Sequence, residues 1–238
     1  MSGGARGQGA AEVRALAAEG ARVILGDVLD GPGSELAMEL GPGVRFHHLD
    51  VTDAGNWRSL VDAAENEFGP IGVLVNNAGI LKRASVQETS REDFEKVLAV
   101  NVTGALLGIQ AVLSSMLRGG GGAIVNISSV GGMQGNPNAA AYVTSKWALR
   151  GLSKAAASDL ARHNIRVNAV LPGAIETPMI VEGEAEAEAW VHENRARLLV
   201  RRMGQAGDVA AAVLFLASAE SAYMTGAEIV VDGGWSVR

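Results

Sequence analysis

The stretch SGGARGQGAAEVRALAAEGARVILGD, residues 2–27, sets a glycine-rich turn, an amphipathic helix and a short apolar run in direct succession. A glycine turn that opens a helix leaves backbone N–H groups free and aims the positive end of the helix at what lies before it, which suits a phosphate. Gly3, Gly7 and Gly9 are the turn positions. A plain flexible N-terminal segment is the competing reading. Gly20 reads as the C-cap of the helix. ARVILGD, residues 21–27, is apolar without alternation, as expected of a parallel strand covered on both faces. It ends in Asp27, about 20 residues past the glycine turn, where a carboxylate suits a ribose 2′-OH and repels a 2′-phosphate. An Asp capping the following turn is the competing reading.

Outward from this unit the chain keeps alternating. A short helix is expected over 34–40, then the strand VRFHHLDV (44–51) with Asp50 near its end. The helix in TDAGNWRSLVDAAENEFG (52–69) has Trp57, Leu60, Val61, Ala64 and Phe68 at helical spacing. IGVLVNNAG (71–79) is the next strand. Residues 89–118 form a long helical pattern, with Thr89 and Glu92 at capping-box spacing. Asn101 lies inside it. A polar amide among small and apolar residues needs a partner and marks a kink; a single satisfied core amide is the competing reading. After glycines 119–122 come a strand over 123–128, Ser129, a glycine-rich loop and a helix to about Arg162. The strand IRVNAVLPG (165–173), the buried helix DVAAAVLFLAS (208–218) and the strand AEIVVDGG (227–234) complete the chain. Such alternation predicts a single domain, 1–238, on one doubly wound parallel sheet of the α/β class. Segment 179–205 has no strong period, and its alternating Glu182, Glu184, Glu186 and Glu188 read as a solvated face. Its place after a strand end makes it a candidate substrate lid.

Composition narrows the function. With 238 residues the chain can bury one sizeable α/β core. No apolar run looks long enough to span a bilayer, and no basic segment followed by an apolar stretch marks a signal peptide, so no membrane partner is expected. The absence of cysteine excludes disulfides and thiolate chemistry and fits a cytoplasmic location. A net charge of −6 speaks against nucleic acid. His47 and His48 alternate faces on a strand with no acid or cysteine at ligand spacing, so no metal site is expected.

The chemistry concentrates in AAAYVTSKWALRGL, residues 139–152. Tyr142 and Lys146 are four apart in a run of good helix formers, so they share one helical face. A phenol with a pKa of about 10 is a poor proton carrier at neutral pH, and a nearby cation lowers that value. The pair is therefore a candidate general acid/base, with Ser129 at the end of the apolar run AIVNIS upstream. Taken alone, Tyr and Lys at this spacing are as readily a surface contact.

In order and spacing, SGGARGQG, Asp27, LDV, NNAG, NVTG, ISS, YVTSK, PGAIET and VDGG resemble the short-chain dehydrogenases/reductases over nearly the whole chain. Within that family the look is nearest to the bacterial NAD-dependent 3α,20β-type hydroxysteroid dehydrogenases. The resemblance implies hydride transfer between NAD(H) and a secondary alcohol or ketone. It implies that Tyr142 exchanges the proton, Lys146 lowers the Tyr142 pKa and holds the nicotinamide ribose, Ser129 binds the substrate oxygen, and Asn101 anchors a water relay to Lys146. Gly3, Gly7 and Gly9 would hold pyrophosphate, Asp27 the adenosine ribose, Asp50 and Val51 the adenine, and Asn77, with Ala78 and Gly79, the adjoining region. Pro172, Gly173, Ile175 and Thr177 would lie at the nicotinamide. Family members assemble through the helices bearing Asn101 and Tyr142, so a homotetramer is expected, with a dimer as the smaller form. The small residues Ala105, Gly108, Ala148, Gly151 and Ala155 would permit close packing there.

Three points depart from that pattern or leave it open. Met1 stands directly before Ser2, where the family has an apolar strand of about six residues in the centre of the sheet. The expectation is therefore a chain that extends upstream by roughly 6–12 residues, and a Ser2–Gly9 turn poorly held in the chain as given. Arg6 precedes Gly7 where NADP-preferring relatives often carry a basic residue; Asp27 argues for NAD. Two other functions compete: an NADPH-dependent 3-oxoacyl-acyl-carrier-protein reductase, and a non-catalytic dinucleotide-binding protein. Met133, Gln134, Asn136, Trp147 and Met179 are expected to shape a pocket for a bulky apolar substrate such as a hydroxysteroid, although Trp147 and Met179 are equally readable as core.

Overall fold

The structure is a computed structural model and describes residues 1–181 and 198–237. Its strands are β1 (Val23–Asp27), β2 (Val44–His48), β3 (Val73–Asn76), β4 (Gly122–Ile127), β5 (Ile165–Pro172) and β6 (Glu228–Val231). All pairings are parallel. They fall into a section β2-β1 and a section β3-β4-β5-β6. Between the two, among the described residues, runs only Met1–Gly3. The Met1 amino group donates to the Ile24 carbonyl (2.8 Å), and the Gly26 N–H donates to the Met1 carbonyl (2.8 Å). On the other side the Ser2 N–H donates to Val75 O (3.0 Å), and the Gly3 N–H returns to Gly26 O (2.8 Å). The glycine turn is thus tied to both flanking strands, which corrects the expectation of a loosely held turn.

Period-two alternation explains the two cores. Ile24, Leu74, Ile124 and Val167 point to the face covered by α3 (Ala54–Phe68), α5 (Gly104–Arg118) and α6 (Ala140–Leu160). Their neighbours Val23, Leu25, Val75, Val125 and Val170 point to the face covered by α1 (Gly7–Ala18), α2 (Asp30–Leu40) and α8 (Ala206–Ala217). Helix α7 (Pro178–Val181) is a single turn after β5. The α1 helix ends as expected, with Gly20 at φ +81° and the Ala21 N–H reaching back to Leu16 O (3.0 Å), a Schellman ending.

Several expectations shift. Helix α2 starts at Asp30 rather than 34, because Pro32 falls in the first turn, where its missing N–H is not needed. The cap of α4 (Arg91–Leu98) is Ser90, whose Oγ accepts from Asp93 N–H (3.0 Å). Thr89 instead donates to Ser85 O (2.7 Å). The kink expected at Asn101 is a π-helical turn, Ala99–Thr103, a common form of irregularity at functional sites. By length and composition Arg91–Arg118 passes for a membrane-crossing helix, contrary to the expectation of no such run. In this fold its buried residues, among them Ile109, Val112 and Met116, pack into the core.

One core position was not foreseen. Glu12 lies on the buried stripe of α1 with Gly9, Val13 and Leu16, and neither carboxylate oxygen has a partner among the described residues. Burial pushes its pKa up from 4.5 to about 8, against the opposing pull of the Met1 amino group. A folded-state pKa raised in this way gives stability that is complete below about 4.5 and is lost as pH rises towards 8. Glu12→Gln is therefore expected to raise Tm by several degrees near pH 8, at about 2–4 °C per kcal/mol for a domain of this size, and by much less near pH 5. Thermal melts at both pH values check it; an equal change at both would show that Glu12 ionisation is not the cause.

Candidate active site

The strands end along one edge, and the residues that follow them enclose a cleft of about 370 Å³. At one wall stands the glycine turn. A Cβ on Gly9 would lie 1.9 Å from the Gly3 carbonyl oxygen, and one on Gly3 would lie 2.6 Å from Ala78 Cα, so only glycine closes this turn. Gly7 opens α1, which has no side-chain cap and no acid in its first turn. Gly7, Gln8 and Gly9 face the cleft. An uncapped helix start of this kind fits a pyrophosphate.

The turn is locked to the end of β3. The Asn77 amide donates to Gly3 O (2.7 Å), and Ser2 Oγ accepts from the Ala78 N–H (3.3 Å). Asp27 holds the backbone on either side of the strand end and also lines the cleft. Its Oδ2 accepts from Ala5 N–H (3.0 Å) and its Oδ1 from Leu29 N–H (3.1 Å), yet it lines the cleft beside Arg6, Val28 and Leu29. A carboxylate has about four acceptor sites, so capacity remains for ribose hydroxyls. Asp50 and Val51 line the same end. The Thr52 hydroxyl and N–H hold the Asp50 carboxyl below its usual range.

The same cleft is lined by Ser129, Tyr142 and Lys146, by Pro172, Gly173, Ile175 and Thr177, and by Asn77, Ala78 and Gly79. Ser129 lies two residues past the end of β4, and its Oγ accepts from the Gly131 N–H (3.0 Å). Ser129 and Tyr142 adjoin: a Cβ on Gly131 would lie 3.5 Å from Ser129 Oγ and 3.5 Å from Tyr142 Cε1. One turn on, the Lys146 ammonium donates to Ile127 O (2.8 Å) and lies 5.5 Å from the Tyr142 ring centroid. Burial pushes Lys146 down to about 8. The phenol is raised above its ordinary value, because burial outweighs the opposing pull of Ser129. The direction is opposite to the lowering expected from Lys146, because desolvation is the largest effect, and Tyr142 carries its proton at neutral pH.

Asn101 does not line the cleft but braces it from behind. Its Oδ1 accepts from Ile80 N–H (2.8 Å), and its Nδ2 donates to Ile80 O (3.0 Å) and Ser145 Oγ (2.9 Å). Ser145 in turn donates to Tyr142 O (2.7 Å). A Cβ on Gly79 would lie 3.4 Å from Asn101 Oδ1 and 3.5 Å from Lys146 Nζ, so the amide and the ammonium converge on that glycine.

Of the expected substrate-pocket residues only Met179 lines the cleft. Met133, Gln134, Asn136 and Trp147 do not. Trp147 follows Lys146 by about 100° of helix rotation, is half exposed, and faces the Arg150 guanidinium at 5.0 Å. In the lid segment 179–205, residues 182–197 lie outside the described residues. The cleft also takes Ile80 and Val100, which lie outside the quoted motifs. Ile80 directly follows NNAG and Val100 directly precedes NVTG, which is the signal that points to them.

Over residues 3–236 the chain matches a family described as enoyl-(acyl carrier protein) reductase. A 3-alpha-(or 20-beta)-hydroxysteroid dehydrogenase of Mycobacterium tuberculosis is 44% identical over 234 residues, which are 98% of this chain and 87% of that protein. The trans-4-hydroxycyclohexanecarboxylate dehydrogenase of Sinomonas cyclohexanicum is 40% identical over 243 aligned residues, 98% of this chain and 90% of that one. Cyclopentanol dehydrogenase of Comamonas testosteroni is 42% identical over 244, covering 100% and 96%.

Proposed function

The chain belongs to the short-chain dehydrogenase/reductase family, and from that premise we propose that it interconverts a ring-bearing secondary alcohol and its ketone with NAD(H). The observation that carries this reading is Tyr142 beside Ser129, with Lys146 one turn away, on the wall of a cleft that an uncapped glycine-turn helix also lines. Nicotinamide dinucleotide bound there would supply the hydride donor or acceptor. Gly3, Gly7 and Gly9 would hold its pyrophosphate, Asp27 the ribose, and Pro172, Gly173, Ile175 and Thr177 the nicotinamide end.

The chain's own work is proton transfer and positioning. Ser129 holds the substrate oxygen and Tyr142 gives it a proton in the reduction, or takes one in the oxidation. Charge left on Tyr142 is offset by the Lys146 ammonium, and Asn101 holds Tyr142 and the Gly79 bend in place through Ser145 and Ile80. Met179, Ile80 and Val100 give the cleft apolar walls, in keeping with ring substrates such as those named for the three relatives.

A panel of cyclic and straight-chain secondary alcohols and ketones, followed by nicotinamide absorbance, tests the reading. Turnover of a ring alcohol with NAD is expected. NADH binding without turnover of any member would favour the non-catalytic binder, and activity confined to acyl thioesters with NADPH would favour the acyl-carrier-protein reductase. Asp27 repels a 2′-phosphate, so kcat/KM is expected to be higher with NADH than with NADPH, and Asp27→Asn should narrow the gap. A native preference for NADPH would give the decision to Arg6.

The assembly we propose is a homotetramer. On α6 the small residues Ala148, Gly151 and Ala155 are exposed, and no atom lies within 4 Å of a Cβ placed on Gly151. Ala105 and Gly108 are turned inward, Gly108 against Trp57, so the α5 contribution comes instead from exposed Leu106 and Leu117. Light scattering at micromolar concentration should give four chains per particle, and a single-chain mass would contradict it.

A further inference from the structure

Arg150 lies two turns beyond Tyr142 on α6, about 12 Å along the axis at 1.5 Å per residue, and has no place on the cleft wall. Its side chain is nonetheless largely buried, 19% exposed, and makes three kinds of contact. Nε and Nη2 grip the Glu228 carboxylate at the start of β6 (3.0 and 2.7 Å). Nη1 donates to the carbonyl of Gly132. The face of the guanidinium lies by the Trp147 ring. Gly132 ends the tight turn Val130–Gly132 that Ser129 caps, and the Gly132 N–H is bonded back to Ser129 O (2.8 Å).

From this placement we infer that Arg150 is a positioning residue, setting Ser129 against Tyr142 by holding the Gly132 carbonyl while Glu228 fixes the guanidinium. Turn and helix are flush here. A Cβ on Gly132 would lie 2.9 Å from Lys146 O and 3.0 Å from Arg150 Cδ. A second staple, Ser128 Oγ donating to Lys146 O (2.9 Å), holds the near end of the same turn. Ser128 and Arg150 thus clamp both sides of Ser129 onto the helix that carries Tyr142. A planar guanidinium suits the task, because its fork binds a carboxylate at two points and keeps a third donor for a carbonyl. Lys154, 3.4 Å from Glu228, shares the carboxylate but reaches no part of the turn.

The inference rests on the oxidoreductase reading of Ser129 and Tyr142, so its test has one readout that needs no turnover. The chain has two tyrosines. In a Tyr223→Phe background, ultraviolet titration reports Tyr142 alone. Arg150→Met should loosen Ser129 beside Tyr142, lessen its pull on the phenol, and move the Tyr142 ionisation to higher pH. With the best ketone of the panel, kcat should fall about 10- to 100-fold, as misplacement of reacting groups does, while NADH affinity is unchanged. Glu228→Gln should act in the same direction, and the double variant should be no worse than Arg150→Met. If Arg150→Met does not fold, Arg150→Lys carries the test, with a smaller shift in the same sense. An unchanged Tyr142 titration and unchanged kcat, with only Tm reduced, would overturn the inference and leave an ordinary structural ion pair. A titration shift in a protein whose parent turns over nothing would uphold the positioning and sink the oxidoreductase reading.

Discussion

Tyr142→Phe is expected to lose about 10²–10⁴-fold in kcat, the usual scale for a positioned general acid, with NADH affinity intact. Only the phenolic oxygen goes; the ring that packs near Lys146 stays. Every group assigned to the dinucleotide lies on other elements except Lys146, whose ammonium is held by Ile127 O independently of the phenol. Single-turnover kinetics beside fluorescence titration of NADH separate the two quantities. Turnover within a factor of a few of the parent would mean that the proton travels by another group.

Gly9→Ala is expected to cost cofactor affinity about 10- to 100-fold. The new methyl would meet the Gly3 carbonyl at 1.9 Å and the Asn77 amide at 2.7 Å, and one of these obstacles is backbone. The turn must open, which disturbs both the uncapped start of α1 and the Asn77–Gly3 hydrogen bond. Overpacking of this sort costs about 1–3 kcal/mol, and every 1.4 kcal/mol is about tenfold in affinity. Gly207→Ala is the control, since no atom lies within 4 Å of its added Cβ. Isothermal titration with NADH on both variants checks the expectation, and equal affinities would show that the turn is not the anion site.

The sheet and the cleft were legible where a residue's role is local. Spacing alone put Tyr142 and Lys146 on one face, and an amide inside an apolar helix marked the π turn at Asn101. Every residue assigned to the dinucleotide lines the cleft, because nearly all end or follow a strand and strand ends converge at one edge, Lys146 reaching it from α6. Contacts that depend on how elements pack were not legible. Trp147 sits next to Lys146 in sequence, yet the helix rotation turns it away. Ser90 and Thr89 are adjacent hydroxyl residues, and only the path of the preceding loop decides which one caps α4. The Tyr142 pKa was misjudged for the same reason: the sequence shows the cation, while burial is a property of the closed structure. Glu12 did leave a trace, a lone acid in the i, i+3, i+4 stripe of α1.

The central claim is that a hydride passes directly between a secondary carbinol carbon and the nicotinamide beside Tyr142. It is tested most directly with the best alcohol of the panel carrying deuterium on its carbinol carbon, and mass spectrometry of the reduced nicotinamide. The account predicts that the reduced cofactor carries the deuterium and that none is lost to water, with the same outcome at the greatly reduced rate of Tyr142→Phe. Deuterium found in solvent, with an unlabelled reduced cofactor, would contradict it.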